Sequence, residues 1–297
     1  MLPHCRPPLW PEPIDDSRFA SMISRSPGGC QIALLGLADD HGIRLNHGRI
    51  GAAEGPRAFR AALARYGASD AAGIAWPRVY DAGDVVGVPG ESLDAMHRRV
   101  TEAAAAIHEL GLLPIAIGGG HDLTFPFVRA LAQRVPPPAR LTGVYFDAHL
   151  DVRESPGSGM PFRRLVEDCG VRALHVHGLN PLVNSQSHLD WFQAHAGHVE
   201  HDTTPDDPWP EGDLLVSLDL DVIDQAHAPG VSAMNPAGWS PLLAQRWARA
   251  AGRHPRVRCF DIMELSPPHD EFGRTARLAA HLFLTFLTGF AQRALLA

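Results

Sequence analysis

From residue 29 onward, short apolar runs alternate with longer helix-like stretches. The apolar runs predict strands at Ile32–Gly36, Val79–Asp81, Leu113–Ile117, Val144–Asp147, Leu174–Val176, Leu214–Leu220 and Val257–Ile262. Between them, helices are predicted over Pro56–Tyr66, Ser92–Leu110, Leu123–Gln133 and Pro241–Gly252, two of them with proline in the first turn, where its missing N–H costs nothing. Strands that are apolar throughout and separated by helices imply a mostly parallel sheet covered on both faces, hence a three-layer α/β/α domain. Residues 1–28, rich in proline and polar side chains, read as an irregular N-terminal arm, and residues 29–297 as one catalytic domain. No repeat or domain-scale linker interrupts it, and Pro136–Pro138 reads as a turn.

Composition narrows the class. The 297 residues are 45% hydrophobic and 20% charged, which supports a large core, and the formal charge of −7 carries no basic footprint for nucleic acid. All 26 basic residues are arginine, so recognition of an anion must use Arg, His or backbone N–H groups. Cys5, Cys30, Cys169 and Cys259 lie far apart with no Cys-x-x-Cys pair, which fits a reducing, cytoplasmic setting and no thiolate metal site. The first twenty residues hold no apolar run long enough for a signal peptide, and Arg277, His281 and Arg293 interrupt the apolar stretch Ala276–Ala297. That stretch therefore reads as a docking helix, and no membrane partner is expected.

In a parallel sheet, ligands sit at the carboxyl ends of strands, and the chemically loaded residues fall there. Gly118-Gly119-Gly120-His121-Asp122 follows one strand, Asp147-Ala148-His149-Leu150-Asp151 a second, Asp219-Leu220-Asp221 a third, and Glu264 a fourth. In extended backbone alternate side chains share a side, so Asp147, His149 and Asp151 can face one point, as can Asp219 and Asp221. One Asp-x-Asp alone also caps a turn after a strand. Two of them with His121 on a glycine-rich turn point to a metal site, because burying such groups without a cation costs several kcal/mol. Four carboxylates match the charge of two divalent ions, and oxygen-rich donors with two imidazoles favour Mn2+, with Zn, Co, Ni or Fe as competitors.

With GGGHD, FDAHLD and SLDLDVID in this order, the chain resembles the arginase–agmatinase (ureohydrolase) superfamily over roughly residues 30–290. The resemblance implies a single three-layer α/β/α, arginase-like domain and two Mn2+ ions per chain. It implies one ion on His121, Asp147, Asp151 and Asp219, and the other on Asp147, His149, Asp219 and Asp221. It also implies that Glu264, in Asp261-Ile262-Met263-Glu264, grips the cationic C–N head of the substrate. Asp151, a metal ligand close to the nucleophile, is expected to move the proton to the leaving amine.

Arginases and agmatinases carry His-Gly shortly after the second motif. Here the stretch is Ser158-Gly159-Met160-Pro161-Phe162, which looks like the formimidoylglutamase branch, as does Asn46-His47-Gly48-Arg49-Ile50-Gly51. That branch cleaves N-formimino-L-glutamate in histidine breakdown, and a substrate with two carboxylates needs cations at the far end of its pocket. Arg44, Arg49, Arg153 and Arg163 are candidates, with Arg49 and Arg153 first, and Asn46, Ser158 and Asn180 are expected as neutral partners. His175, His177, His195, His198 and His201 are expected to be ordinary core or surface histidines. The expected partner is a small-molecule substrate, met by a homo-oligomer. A ureohydrolase acting on a guanidino compound such as arginine, agmatine or a guanidino acid is the alternative enzyme, and a non-catalytic metal-binding subunit the alternative outside catalysis.

Overall fold

The computed structural model describes residues 2–67, 69, 73, 75–134, 141–201 and 203–293. The turn expected at Pro136–Pro138 lies outside the described residues, as do the last four positions of the C-terminal stretch. In chain order the strands are β1 (Cys5–Arg6), β2 (Ile32–Ala38), β3 (Val79–Val86), β4 (Leu113–Ile117), β5 (Leu141–Phe146), β6 (Ala173–His177), β7 (Gly197–Glu200), β8 (Asp213–Asp219) and β9 (Val257–Met263). The helices are α1 (His41–Leu45), α2 (Gly55–Leu63), α3 (Leu93–Glu109), α4 (Thr124–Ala132), α5 (Pro161–Cys169), α6 (Gln186–Ala194), α7 (Pro241–Arg253) and α8 (Arg274–Ala291).

All nine strands form one sheet in the order β1-β3-β2-β4-β9-β8-β5-β6-β7, parallel except for β1. Its apolar strands bury both faces. One face packs on α3, α4 and α5 through residues such as Met96, Val100, Phe127 and Phe162. The other packs on α2, α7 and α8 through Phe59, Trp247, Phe283 and Phe286. The architecture is the three-layer α/β/α domain that the alternation of elements predicts.

The seven strands read from apolar runs are all present, and three helices and two strands are additional. Helix α5 buries only Pro161, Phe162 and Leu165, and stops at Gly170 in the left-handed region. Helix α6 buries only Phe192, its start fixed by Ser185, whose side chain accepts the His188 N–H. Strand β7 sits at the sheet edge with no fully buried residue. Helix α6 and strand β7 lack the apolar stripe on which a periodicity argument depends, whereas α5 carries one in Phe162, Leu165, Val166 and Cys169.

The apolar C-terminal stretch docks as α8. Its Gly289 approaches α7 so closely that a Cβ there would lie 2.1 Å from the Arg249 carbonyl, so the crossing requires glycine. No helix among the described residues is long and apolar enough to cross a membrane.

The N-terminal segment is tied to the domain at several points. Cys5–Arg6 pairs antiparallel with β3, Phe19 is buried edge-on against Trp76, and Trp10 Nε1 donates to Asp81 Oδ2 at 2.9 Å. Asp81 belongs to a buried ion cluster invisible in the sequence pattern. Arg60 on α2 donates through Nε and Nη2 to Asp81 at 2.8 and 2.9 Å, and through Nη1 to Asp84 at 2.6 Å. Removing the guanidinium strands two carboxylates between helix and sheet. Arg60→Met should therefore cost about 3–5 kcal/mol of folding stability, measured by urea denaturation; a loss below about 1 kcal/mol would mean the cluster is hydrated and contributes as little as a surface ion pair.

Candidate metal centre

Strands β4, β9, β8 and β5 are consecutive in the sheet, so their carboxyl ends form the middle of one rim. Beyond β4 the backbone turns through Gly118 and Gly119, both at positive φ, and a Cβ on Gly119 would lie 2.5 Å from the Leu37 carbonyl. That tight turn delivers His121 to the rim. Its Nδ1 stands 3.2 Å from Asp147 Oδ2, 2.9 Å from Asp151 Oδ2 and 3.0 Å from Asp219 Oδ2. Nearby, His149 Nδ1 stands 3.0 Å from Asp221 Oδ2 and 3.4 Å from Asp147 Oδ1. Two donor groups result, His121 with Asp147, Asp151 and Asp219, and His149 with Asp147 and Asp221. Asp147 is common to both. Asp219 joins the first group, and its Oδ1 accepts the Asp221 N–H at 2.8 Å.

The electrostatics of this cluster favour cations. Asp147, Asp219 and Asp221 are almost wholly buried. Burial, and then the charges of Asp151 and Asp221, raise the Asp147 pKa; burial, and then Asp221, hold Asp219 well above the carboxylate range. Burial alone would lower His121 and His149, but the surrounding carboxylates outweigh it and raise both. His121 Nδ1, Asp147 Oδ2 and Asp221 Oδ1 are buried without an aligned hydrogen-bond partner. Converging, unsatisfied oxygen and imidazole lone pairs with no thiolate fit divalent cations of the Mn2+ type.

Supporting residues fix the donors. Ser217 gives its single proton to Asp261 Oδ1 at 2.5 Å, and its oxygen lies 3.0 Å from His121 Nε2. The oxygen must then accept the Nε2–H, which leaves His121 Nδ1 as the lone pair facing the carboxylates. Thr124 donates to the other Asp261 oxygen at 3.0 Å. Asn184 ties the FDAHLD loop, accepting the Leu150 N–H at 2.9 Å and donating to the Ala148 carbonyl at 3.0 Å. Ser217 could have been found from its place two residues before Asp219 on the same face of β8. Asn184 lies 33 residues beyond the motif it pins, and no local pattern marks it.

Glu264 occupies the same rim, almost fully buried and held at φ +67. Its Oε1 accepts the His121 N–H at 2.8 Å, while Oε2 is buried without a partner. Burial lifts its pKa to about 8 against the hydrogen bonds from Ser232 and His121.

At the expected far end of the pocket, three predicted residues come together. Arg153 Nη1 donates to Asn46 Oδ1 at 3.0 Å, and Asn46 Nδ2 donates to Ser158 Oγ at 3.1 Å. Arg153 also borders a cavity of about 460 Å³ with His188, which sequence reasoning passed over. Arg49 is placed differently from expectation. Its guanidinium donates to the carbonyls of Pro229 at 3.1 Å, Val231 at 2.5 Å and Ser232 at 3.4 Å, so it holds the loop that carries Ser232 instead of offering a free cation. Asn180 is likewise taken up, donating to Asn235 at 3.2 Å and accepting the Leu182 N–H at 3.0 Å. Arg163 pairs with Glu167 at 2.9 Å, and Arg44 lines a separate cavity of about 900 Å³ that none of the six residues of the two donor groups borders.

Residues 30–289 match the model of the arginase family. Among curated proteins, the formimidoylglutamase of Aromatoleum aromaticum is 35% identical, with 88% of this chain and 84% of that protein covered. The formimidoylglutamase of Geobacillus thermodenitrificans is 31% identical with the same coverage, 88% and 84%. Among solved structures, Trypanosoma cruzi formiminoglutamase with Mn2+2 superposes with a TM-score of 0.82 at 27% identity, covering 94% of this chain and 100% of that one.

Dialysed protein reloaded with Mn2+ should hold close to two ions per chain by elemental analysis, one for each donor group. Asp147→Ala should lose both. Asp261→Asn should keep the fold and weaken binding by roughly 10–100-fold, by releasing the His121 tautomer. Unchanged affinity in Asp261→Asn would remove Asp261 and Ser217 from the account of the site.

Proposed function

The chain belongs to the arginase family of C–N hydrolases, and we propose that it cleaves the formimino C–N bond of N-formimino-L-glutamate to give L-glutamate and formamide, a step of histidine degradation. The observation that carries this reading is Ser158, which stands where arginases and agmatinases carry histidine and is hydrogen-bonded through Asn46 to Arg153. In this reading Arg153, Asn46 and Ser158 form the far end of the pocket, suited to a dicarboxylate and not to a cationic tail. The names of the similar curated proteins support the same choice.

In this reading two Mn2+ ions are held by His121, Asp147, Asp151 and Asp219 and by Asp147, His149, Asp219 and Asp221. When bound they supply Lewis acidity toward the formimino carbon and make the attacking water acidic enough to ionise near neutral pH. The chain's own groups do the rest. Glu264 meets the protonated formimino head with Oε2, the buried oxygen that lacks a partner, in a charge-assisted hydrogen bond. The amidinium keeps Glu264 ionised, and Glu264 keeps the amidinium protonated and electrophilic. Its left-handed backbone, a conformation that costs of order 1–3 kcal/mol in a residue other than glycine, is consistent with a side chain aimed for function. Asp151 is the most accessible of the four aspartates, with 13% of its side chain exposed against 0–3% for the others. That access suits the carrier that accepts the water's proton and returns it to the leaving amine. Arg153, Asn46 and Ser158 hold the substrate carboxylates.

We further read residues 29–297 as the catalytic domain braced by residues 1–28, and the enzyme as a cytoplasmic homo-oligomer acting on a small molecule. Four free cysteines agree with a reducing compartment. Leu182 and Phe272, 91% and 93% exposed, are apolar side chains that a subunit contact would cover.

With Mn2+ matched, kcat/KM for formiminoglutamate should exceed that for agmatine or arginine by roughly tenfold or more. Arg153→Ala should narrow the gap by lowering the formiminoglutamate value. Glu264→Gln should retain both ions while turnover collapses. Faster hydrolysis of agmatine or arginine by the unaltered protein would reject the substrate assignment and leave the metal site standing.

A further inference from the structure

The metal centre leaves the histidines of β6 and β7 without a task. In the sheet register Val144 pairs with His175, His175 with His198 and His177 with Glu200, so these side chains share one face. Helix α7 and the segment around Pro208 cover that face and leave a cavity of about 120 Å³ between them. None of the six metal-type donors lines it. A buried water needs only about 10–15 Å³ of such volume, so the space suits a molecule of roughly five non-hydrogen atoms.

The lining has one electrostatic character. Trp209 and Trp247 stand 5.9 Å apart at 61°, and the His177 ring lies 4.4 Å from Trp247. Indole faces attract cations through their negative π clouds. Among the described residues, His175, Glu200 and Asp207 on the wall each offer an acceptor. His175 Nδ1 lies 2.7 Å from Glu200 Oε1 and so carries the proton there, which leaves Nε2 as a lone pair and Glu200 Oε2 for another donor. His177 Nδ1 is engaged by Thr203 Oγ1 at 2.9 Å. Burial lowers both imidazoles, His177 to about 4, so both are neutral at pH 7. Asp207 uses Oδ2 to accept the Thr204 N–H at 2.6 Å, leaving Oδ1 free. Among the described residues no arginine borders the cavity. Two carboxylates and two tryptophans with no compensating cation describe a receptor for a small positive charge.

We propose that this cavity is a second binding site, distinct from the metal centre, for a small flat nitrogen cation of the guanidinium or amidinium class. The ion lies against the indoles of Trp209 and Trp247 and donates N–H groups to Glu200 and Asp207. Its wall also touches the catalytic rim, because the His177 carbonyl accepts the Asp147 N–H at 3.0 Å.

Methylguanidinium is a suitable probe, titrated by calorimetry and tryptophan fluorescence into Glu264→Gln protein, which lacks the catalytic carboxylate that could take the same cation. Saturable binding with one equivalent per chain is expected, with a fluorescence change that Trp209→Phe reduces. Glu200→Gln in the same background should weaken binding by roughly tenfold, the value of one charge-assisted hydrogen bond. Asp207→Asn, on an exposed turn, should weaken it in the same direction and decides the matter if Glu200→Gln fails to fold. Methylurea, a neutral molecule of the same shape, should not bind. Absence of saturable binding, equal binding of methylurea, or an affinity indifferent to both carboxylate variants would each overturn the proposal.

Discussion

Asp147, Asp219 and Asp221 are held out of water at the ends of two adjacent strands, with Asp151 beside them and each within reach of an imidazole nitrogen. Mutual repulsion and lost hydration would push such a cluster apart or into the neutral form. The structure keeps it together by distributing the restraint. Strands β8 and β5 pair in register, so Phe146 and Leu218 sit side by side and the aspartates that follow them start from the same level. Asx turns at Asp147 and Asp219 close each motif, and Asn184 ties the longer loop from outside it. The Ser217–Asp261 pair leaves His121 one usable nitrogen. A positively charged occupant is the simplest physical reason for so much apparatus around mutually repelling groups.

Much of this was legible in the residue pattern, for a specific reason. Strands β2, β4, β5, β8 and β9 are buried on both faces and announce themselves as apolar runs, and the donors fall within five residues of their ends. What was not legible depends on contacts distant in sequence. Arg49 looked like a free cation, but its partners are carbonyls 180 residues or more away. Arg60 lies inside a helix pattern and gave no sign that it is buried against two aspartates of β3. Helix α6 and strand β7 bury so few side chains that periodicity cannot reveal them, although α6 supplies His188 beside Arg153 and β7 supplies Glu200.

The two ends of the candidate active site obey opposite rules. At the rim's centre, negative groups are buried and wait for positive partners, and in the proposed function Glu264 extends that logic to a cationic substrate head. Farther out, Arg153 reverses the sign, with Asn46 and Ser158 as neutral partners that leave its charge uncancelled. A substrate positive at one end and doubly negative at the other matches that polarity, whereas one positive at both ends does not. The indole-lined cavity behind His177 repeats the central rule on a smaller scale, with acceptors and aromatic faces but no cation of its own.

The central claim, that the buried aspartates are tolerated because cations neutralise them, is tested most directly by thermal unfolding of metal-free protein with and without Mn2+. Binding to the folded state alone at a thousandfold excess over the dissociation constant contributes about 4 kcal/mol for each site, so the midpoint should rise by well over about 5 °C. Asp147→Ala, which removes the carboxylate shared by both donor groups, should lose that rise. A midpoint unmoved by Mn2+, or raised equally in Asp147→Ala, would contradict the account.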